Sequence, residues 1–207
     1  MRIGIVGLGL IGGSLAKALK AYTGHEVLVS NRTAATAQAA VEAGDADGLL
    51  TDEALSGAEI VFVCLYPGAT VAYVREKAAL FAKGALVVDC SGVKTPVCEP
   101  LFPVARAHGF VFVGGHPMAG KETSGYAAAE AGLFRGASMI LVPDVDSGLG
   151  KLSRLCTELG FGRVVVTTAA LHDRTIAYTS QLAHIVSSAY VKSETARSES
   201  GFSAGSF

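Results

Sequence analysis

The chain has 207 residues, half of them apolar and 17% charged, so it can bury a sizeable core and is not a disordered segment. Seventeen Lys and Arg stand against eighteen Asp and Glu, a net charge of −1. That balance excludes a broad nucleic-acid or anionic-membrane surface and leaves room only for a small basic pocket. No uncharged apolar stretch reaches the roughly 18–20 residues of a transmembrane helix. Cys64, Cys90, Cys98 and Cys156 show no CxxC pair and no metal-ligand spacing, so no metal site is expected. They read as buried or half-buried thiols in a reducing cytoplasm. Met1-Arg2 followed by an apolar run could pass for a signal peptide, but five glycines between Gly4 and Gly13 would make a poor apolar helix.

In chain order, residues 2–6 (RIGIV) predict a first strand and about 11–22 a helix. Residues 26–30 form a second strand, and the alanine-rich 33–43 a helix stopped by Gly44. A weak third strand falls at 48–50. Residues 60–65 (IVFVCL) are a continuous apolar run, the pattern of a central parallel strand covered on both faces. A helix near 69–83 ends at Gly84, and 85–90 (ALVVDC) is the next buried strand. The 95–108 segment reads as helix interrupted by Pro100 and Pro103. Strands follow at 110–113, 138–142 and 163–167, the last two flanking a helix at 149–159. This alternation predicts right-handed βαβ units and a doubly wound, mostly parallel Rossmann-type α/β sheet. Residues 169–196 lack proline and glycine and read as one long helix. The expected division is therefore a dinucleotide-binding domain at 1–168 and, at 169–207, the first long helix of an all-helical substrate and dimerisation domain. The closing Gly201–Phe207 stretch resembles an inter-helix turn, so more of that domain is expected beyond it.

Gly7-Leu8-Gly9-Leu10-Ile11-Gly12 is a G-x-G-x-x-G that directly follows a strand and opens a helix. In that setting Gly7 permits the tight turn, Gly9 lets the backbone approach a pyrophosphate, and Gly12 allows close helix–strand packing. The helix N-terminus, with Leu10 and Ile11 in its first turn, offers free N–H groups and partial positive charge to the phosphates. The second strand ends Ser30-Asn31-Arg32-Thr33, with no carboxylate for a ribose 2′-hydroxyl and an arginine available for a 2′-phosphate. NADP is therefore expected over NAD.

Ligands of a doubly wound sheet bind beyond the carboxyl ends of its strands. Leu65-Tyr66-Pro67, Cys90 to Lys94 and Gly114 to Glu122 all follow strands and converge on that edge. His116 alone among them has an ordinary pKa near neutrality, about 6.5, which suits it to take a proton. On the long helix Asp173, Ser180, His184 and Ser187 share one face at about 100° per residue. That polar stripe is either solvated or lines a cleft between the domains.

GLGLIGGS (7–14), DCSGVK (89–94), GGHPMAGKETSG (114–125) and HDRTIAYTSQLAH (172–184) together resemble the prephenate/arogenate dehydrogenase family of tyrosine biosynthesis. HPMAG-x-E-x-x-G is far more specific than the glycine fingerprint. The resemblance implies oxidative decarboxylation of a cyclohexadienyl substrate, prephenate or arogenate, with hydride transfer to the nicotinamide, giving 4-hydroxyphenylpyruvate or tyrosine. It implies His116 as the base that takes the substrate's hydroxyl proton, with Ser91 beside it. Glu122 and Lys121 belong to the implied substrate pocket, as do Ser180, Gln181 and His184. It also implies a homodimer built through the helical domain. The family often reads Gly-Ser-Val-Lys where this chain has Ser91-Gly92-Val93-Lys94, so the serine is offset by one. It commonly has histidine and proline where this chain has Gln181 and Ala183, and its substrate-binding arginine lies later than residue 207. Other readings of the same fingerprint are an NADP-dependent β-hydroxyacid dehydrogenase or imine reductase, or a nucleotide-sensing module without turnover.

Overall fold

The computed structural model describes residues 1–194, apart from the side chains of Gln181, Ala183 and His184. They form two compact units, one of Met1–Ala169 and a second that begins at Ala170. The first unit is an eight-stranded sheet in the order β3-β2-β1-β4-β5-β6-β7-β8. Its strands are β1 (Arg2–Val6), β2 (Glu26–Ser30), β3 (Gly48–Leu49), β4 (Ile60–Val63), β5 (Leu86–Asp89), β6 (Val111–Pro117), β7 (Ser138–Pro143) and β8 (Arg163–Val166). All neighbours pair parallel except β6 and β7.

Strand alternation sends successive apolar side chains to opposite faces, so each face carries its own core. On one face Ile3, Ile5, Phe62, Val88 and Leu141 meet helices α1 (Leu10–Tyr22), α2 (Ala34–Glu42) and α6 (Leu149–Glu158) through Leu15, Leu19, Ala40 and Leu155. On the other, Val61, Val63, Val87 and Phe112 meet α4 (Pro67–Lys77) and α5 (Thr95–His108) through Val74, Val97 and Leu101. A one-turn helix, α3 (Asp52–Leu55), links β3 to β4, its N-cap Thr51 accepting from the Ala54 N–H. The expected eight-stranded α/β architecture is thus present.

Three elements differ from their sequence reading. Helix α5 runs unbroken through Pro100 and Pro103. Each proline withholds one intrahelical bond, but burial of Val97, Cys98, Leu101 and Ala105 holds the helix together until Gly109, at φ 81°, caps it. Strand β6 extends to Pro117, because its last residues pair with β7 beyond the end of the parallel sheet. No crossover helix joins β6 to β7; the 118–137 connection instead packs against α1, so β7 returns antiparallel. Within that connection the Glu130 N–H donates to Ser14 Oγ at 3.0 Å, and Phe134 stacks on Phe161 with ring centroids 4.8 Å apart.

The third difference lies in the helical segment from Ala169. It runs as α7 (Ala169–Ile176), a π-helical turn over Ala177–Gln181, and α8 (Leu182–Lys192). The wider turn shifts the phase of α8 against α7, so the uniform 100° count from Asp173 to Ser187 does not hold. The expected helix at 195–196 and the turn at 201–207 lie outside the described residues. No described helix is long and apolar enough to cross a membrane.

Candidate active site

Strand order reverses between β1 and β4, and the glycine loop leaves β1 at that point. Gly7 adopts φ +90°, and a β-carbon there would stand 2.6 Å from the Cys64 carbonyl oxygen. At Gly12 a β-carbon would lie 1.9 Å from the Gly7 carbonyl oxygen. Gly9 is the reverse case: nothing lies within 4 Å of its missing side chain, so the loop crest is open to an approaching group. Gly9 is also the N-cap of α1, without a side-chain cap and with no acidic residue in the first turn. Leu10 and Ile11 sit half-buried in that turn. Helix N–H groups and open space therefore meet where an anion would bind.

The end of β2 supports this loop. Asn31 Oδ1 accepts the Leu8 N–H at 3.0 Å, and its Nδ2 donates to the Thr33 carbonyl at 3.2 Å. Asn31 thus pins the glycine loop to β2, a role its sequence position did not disclose. Ser30 is half-buried, whereas Arg32 and Thr33 are exposed at the start of α2. At the end of β4, Leu65 packs against Gly7, Tyr66 is 88% exposed, and Pro67 opens α4.

Beyond β5 and β6 lies the second cluster. His116 stands on β6 opposite Ile140, half-buried. A β-carbon at Gly92 would be 3.9 Å from His116 Nε2, so the imidazole edge faces a backbone that carries no side chain. Ser91, expected as its partner, turns elsewhere. Its Oγ lies 3.1 Å from Asp89 Oδ2 and 3.2 Å from the Val93 carbonyl, and its N–H donates to Asp89 Oδ1 at 2.9 Å. Gly92, one residue on, is what faces the imidazole.

Beneath these residues Asp89 and Lys94, both 0% exposed, form an ion pair, and Lys94 Nζ also donates to the Gly115 carbonyl at 2.6 Å. Burial pushes the Asp89 carboxyl up, against the downward pull of the Lys94 ammonium and the Ser91 N–H. Sequence reading gave this pair no role. Its signal was two opposite charges in one DCSGVK segment directly after an apolar strand. Cys90 is pushed well up by the adjoining Cys64 thiol and by burial, and all four cysteines are free thiols.

Lys121 is paired with Glu130 at 2.6 Å, and Glu122 is exposed. Ser180 is half-buried on the π turn of the second unit, while the side chains of Gln181 and His184 lie outside the description. The glycine loop, the β4 end and His116 therefore share one sheet edge. At about 4.8 Å per strand, the loop and His116 are separated by three strand spacings, roughly 14 Å.

Fold and loop together define a dinucleotide-binding α/β domain. Residues 15–166 match the family model for the prephenate dehydrogenase nucleotide-binding domain, and the chain belongs to that family. Cyclohexadienyl dehydrogenase of Zymomonas mobilis is 31% identical over 191 residues, 89% of this chain and 64% of that protein. The crystal structure of Synechocystis arogenate dehydrogenase superposes with a TM-score of 0.82 at 29% identity, covering 99% of this chain and 76% of the other. Aquifex aeolicus prephenate dehydrogenase, solved in complex with hydroxyphenyl propionate and NAD+, gives a TM-score of 0.75 at 27% identity over 92% of this chain and 68% of that one. The chain spans about half to two thirds of the length of the curated relatives it matches.

Proposed function

We propose that this chain carries the cofactor-binding and proton-accepting part of a prephenate or arogenate dehydrogenase that prefers NADP to NAD. The carrying observation is His116, placed on the sheet edge that bears the glycine loop, with its Nε2 toward the open backbone of Gly92. The residues present fit a dinucleotide: Gly9 leaves open space and Gly7 and Gly12 allow the close turn. The N–H groups of Leu10, Ile11 and Gly12 would hold the pyrophosphate. When bound, the dinucleotide supplies the hydride acceptor.

The chain's own residues do the rest. Ser30 and the exposed Arg32 would meet the adenosine ribose and its 2′-phosphate, with Thr33 beside them. Leu65, Tyr66 and Pro67 line the way from the pyrophosphate toward the nicotinamide. His116 accepts the substrate's hydroxyl proton at a ring nitrogen as the hydride leaves. Gly92 puts no side chain beside the imidazole edge. Lys121 would exchange Glu130 for the substrate's carboxylate, with Glu122 next to it in the chain; Ser180, Gln181 and His184 are assigned to substrate binding in the whole protein. Ser91 acts through Asp89 and not on the base itself. We assign residues 1–168 to cofactor binding and the helical segment from 169 to substrate binding and homodimer formation. The free thiols fit a reducing cytoplasm.

The test is steady-state turnover of prephenate and arogenate by the whole protein with NADP+ and NAD+. The expected result is activity on at least one of the two, with higher kcat/KM for NADP+. Tight NADPH binding without turnover of either would replace the proposal with a nucleotide-sensing role.

A further inference from the structure

The segment just before His116 is built around a lysine that water cannot reach. Lys94 and Asp89 are each fully buried, an arrangement that costs both ions their hydration. Stability alone gives little reason for it, because well-packed apolar residues of similar volume do as well or better. Geometry gives a reason. Asp89 ends β5, and its carboxylate gathers the Ser91 N–H on one oxygen and Lys94 Nζ on the other. Lys94 Nζ then reaches across to the Gly115 carbonyl at 2.6 Å, on the residue preceding His116. The lysine is fixed from its backbone as well, since its carbonyl accepts from the N–H groups of Val97 at 3.1 Å and Cys98 at 2.7 Å at the start of α5.

The two glycines of β6 answer to the same feature. A β-carbon at Gly114 would stand 2.4 Å from Cys98 Sγ and 3.1 Å from Lys94 Cδ. One at Gly115 would stand 2.4 Å from the Asp89 carbonyl oxygen and 2.9 Å from Met139 Cε. Only bare backbone lets β6 lie this close to the lysine stem and to the end of β5. We propose that Lys94, held by Asp89, is a positioning residue that fixes the end of β6 against β5 so that the His116 imidazole faces Gly92. This rests on the reading of His116 as the proton acceptor.

The decisive variant is the double substitution Lys94→Met/Asp89→Asn, which removes the tie to Gly115 without leaving a lone buried charge. Three quantities are measured: the thermal midpoint, the steady-state constants, and the ring NMR signals of His116 in cofactor-free protein. The thermal midpoint is expected to recover relative to Lys94→Met alone. The kcat is expected to stay about 10- to 100-fold low, since a misplacement of ~1 Å can cost about 10²-fold. Dinucleotide affinity should be unchanged, and the His116 ring signals should move while those of His25 and His108 stay. Recovery of wild-type kcat and of the His116 signals together with the midpoint would overturn the proposal, leaving the pair as filling only.

Gly114→Ala serves if the double variant does not fold, because it keeps both charges and displaces the lysine stem. It should shift the His116 signals and lower kcat with KM for the dinucleotide unchanged; unaltered signals and kcat would overturn the proposal. Should the wild-type protein turn over neither cyclohexadienyl substrate, the proton-acceptor reading fails, while the His116 signals still decide whether Lys94 sets the position of the ring.

Discussion

Substituting alanine at Gly9 and at Gly12 separates two uses of the same loop. At Gly12 the new β-carbon would lie 1.9 Å from the Gly7 carbonyl oxygen and 3.2 Å from Cys64 Cβ. A carbon–oxygen contact needs roughly 3.3 Å, so the loop and helix must part by more than an ångström. Overpacking of that kind costs about 1–3 kcal/mol, and the displaced N–H groups no longer converge on a phosphate. At Gly9 nothing lies within 4 Å, and the backbone at φ −85° and ψ −158° suits any residue. Gly9→Ala should therefore leave stability within about 0.5 kcal/mol, as for an unobtrusive surface change. Its methyl group would still stand where the pyrophosphate approaches. Dinucleotide fluorescence titration and chemical denaturation read the two effects. Gly9→Ala is expected to bind at least 10-fold more weakly, about 1.4 kcal/mol, with an unchanged denaturation midpoint. Gly12→Ala is expected to lose both. Wild-type affinity in Gly9→Ala would refute the placement of the pyrophosphate on this loop.

Other substitutions probe the surroundings. Arg32→Glu should raise KM for NADP+ about 10-fold or more and leave NAD+ little changed, since a charge-assisted bond contributes about 1.5–3 kcal/mol; equal effects on both cofactors would remove Arg32 from the 2′-phosphate. Burial pushes the Asp47 carboxyl up, but Lys20 Nζ at 2.6 Å and the Val27 N–H at 2.8 Å hold it below its ordinary value. A lowered acid stabilises the fold above its unfolded pKa and loses that contribution as pH falls through the folded value. With the side chain 39% exposed, Asp47→Asn should cost less than about 1 kcal/mol at neutral pH. Thermal midpoints of the two proteins should converge below the ordinary carboxylate range, and a difference that persists there would contradict the assignment. Burial pushes Cys156 up to about 12, whereas Cys64 is half-buried, so a thiol reagent should label Cys64 first and Cys156 only on unfolding. Labelling of Cys156 as fast as Cys64 would contradict the packing of α6.

Much of this architecture is legible in sequence because apolar periodicity and glycine punctuation both point to it. The runs at 60–65 and 85–90 are central strands because they are apolar on both faces. What local pattern does not carry is set by distant partners. Pro100 and Pro103 look like helix breakers until the buried side of α5 is known. The π turn at Ala177–Gln181 leaves no periodic mark, so a face counted through it drifts. In the site, the glycine loop could be read from its place after a strand, whereas His116, expected just past a strand, lies within β6. Asn31 was expected at the cofactor site, but its tie to the loop, like that of Lys94 to Gly115, could not be read, because each acts on a backbone group more than twenty residues away in sequence. The family resemblance set Ser91 beside His116, whereas its hydroxyl lies against Asp89 and the Val93 carbonyl.

In the proposed chemistry His116 takes the proton while the dinucleotide sits on the glycine loop. Its most direct test is His116→Asn in the whole protein, measuring kcat with the better cyclohexadienyl substrate alongside the dinucleotide dissociation constant. The expected kcat is lower by about 10²–10⁴, the contribution of a general base, with cofactor affinity unaltered. Turnover close to that of the wild-type protein would contradict it.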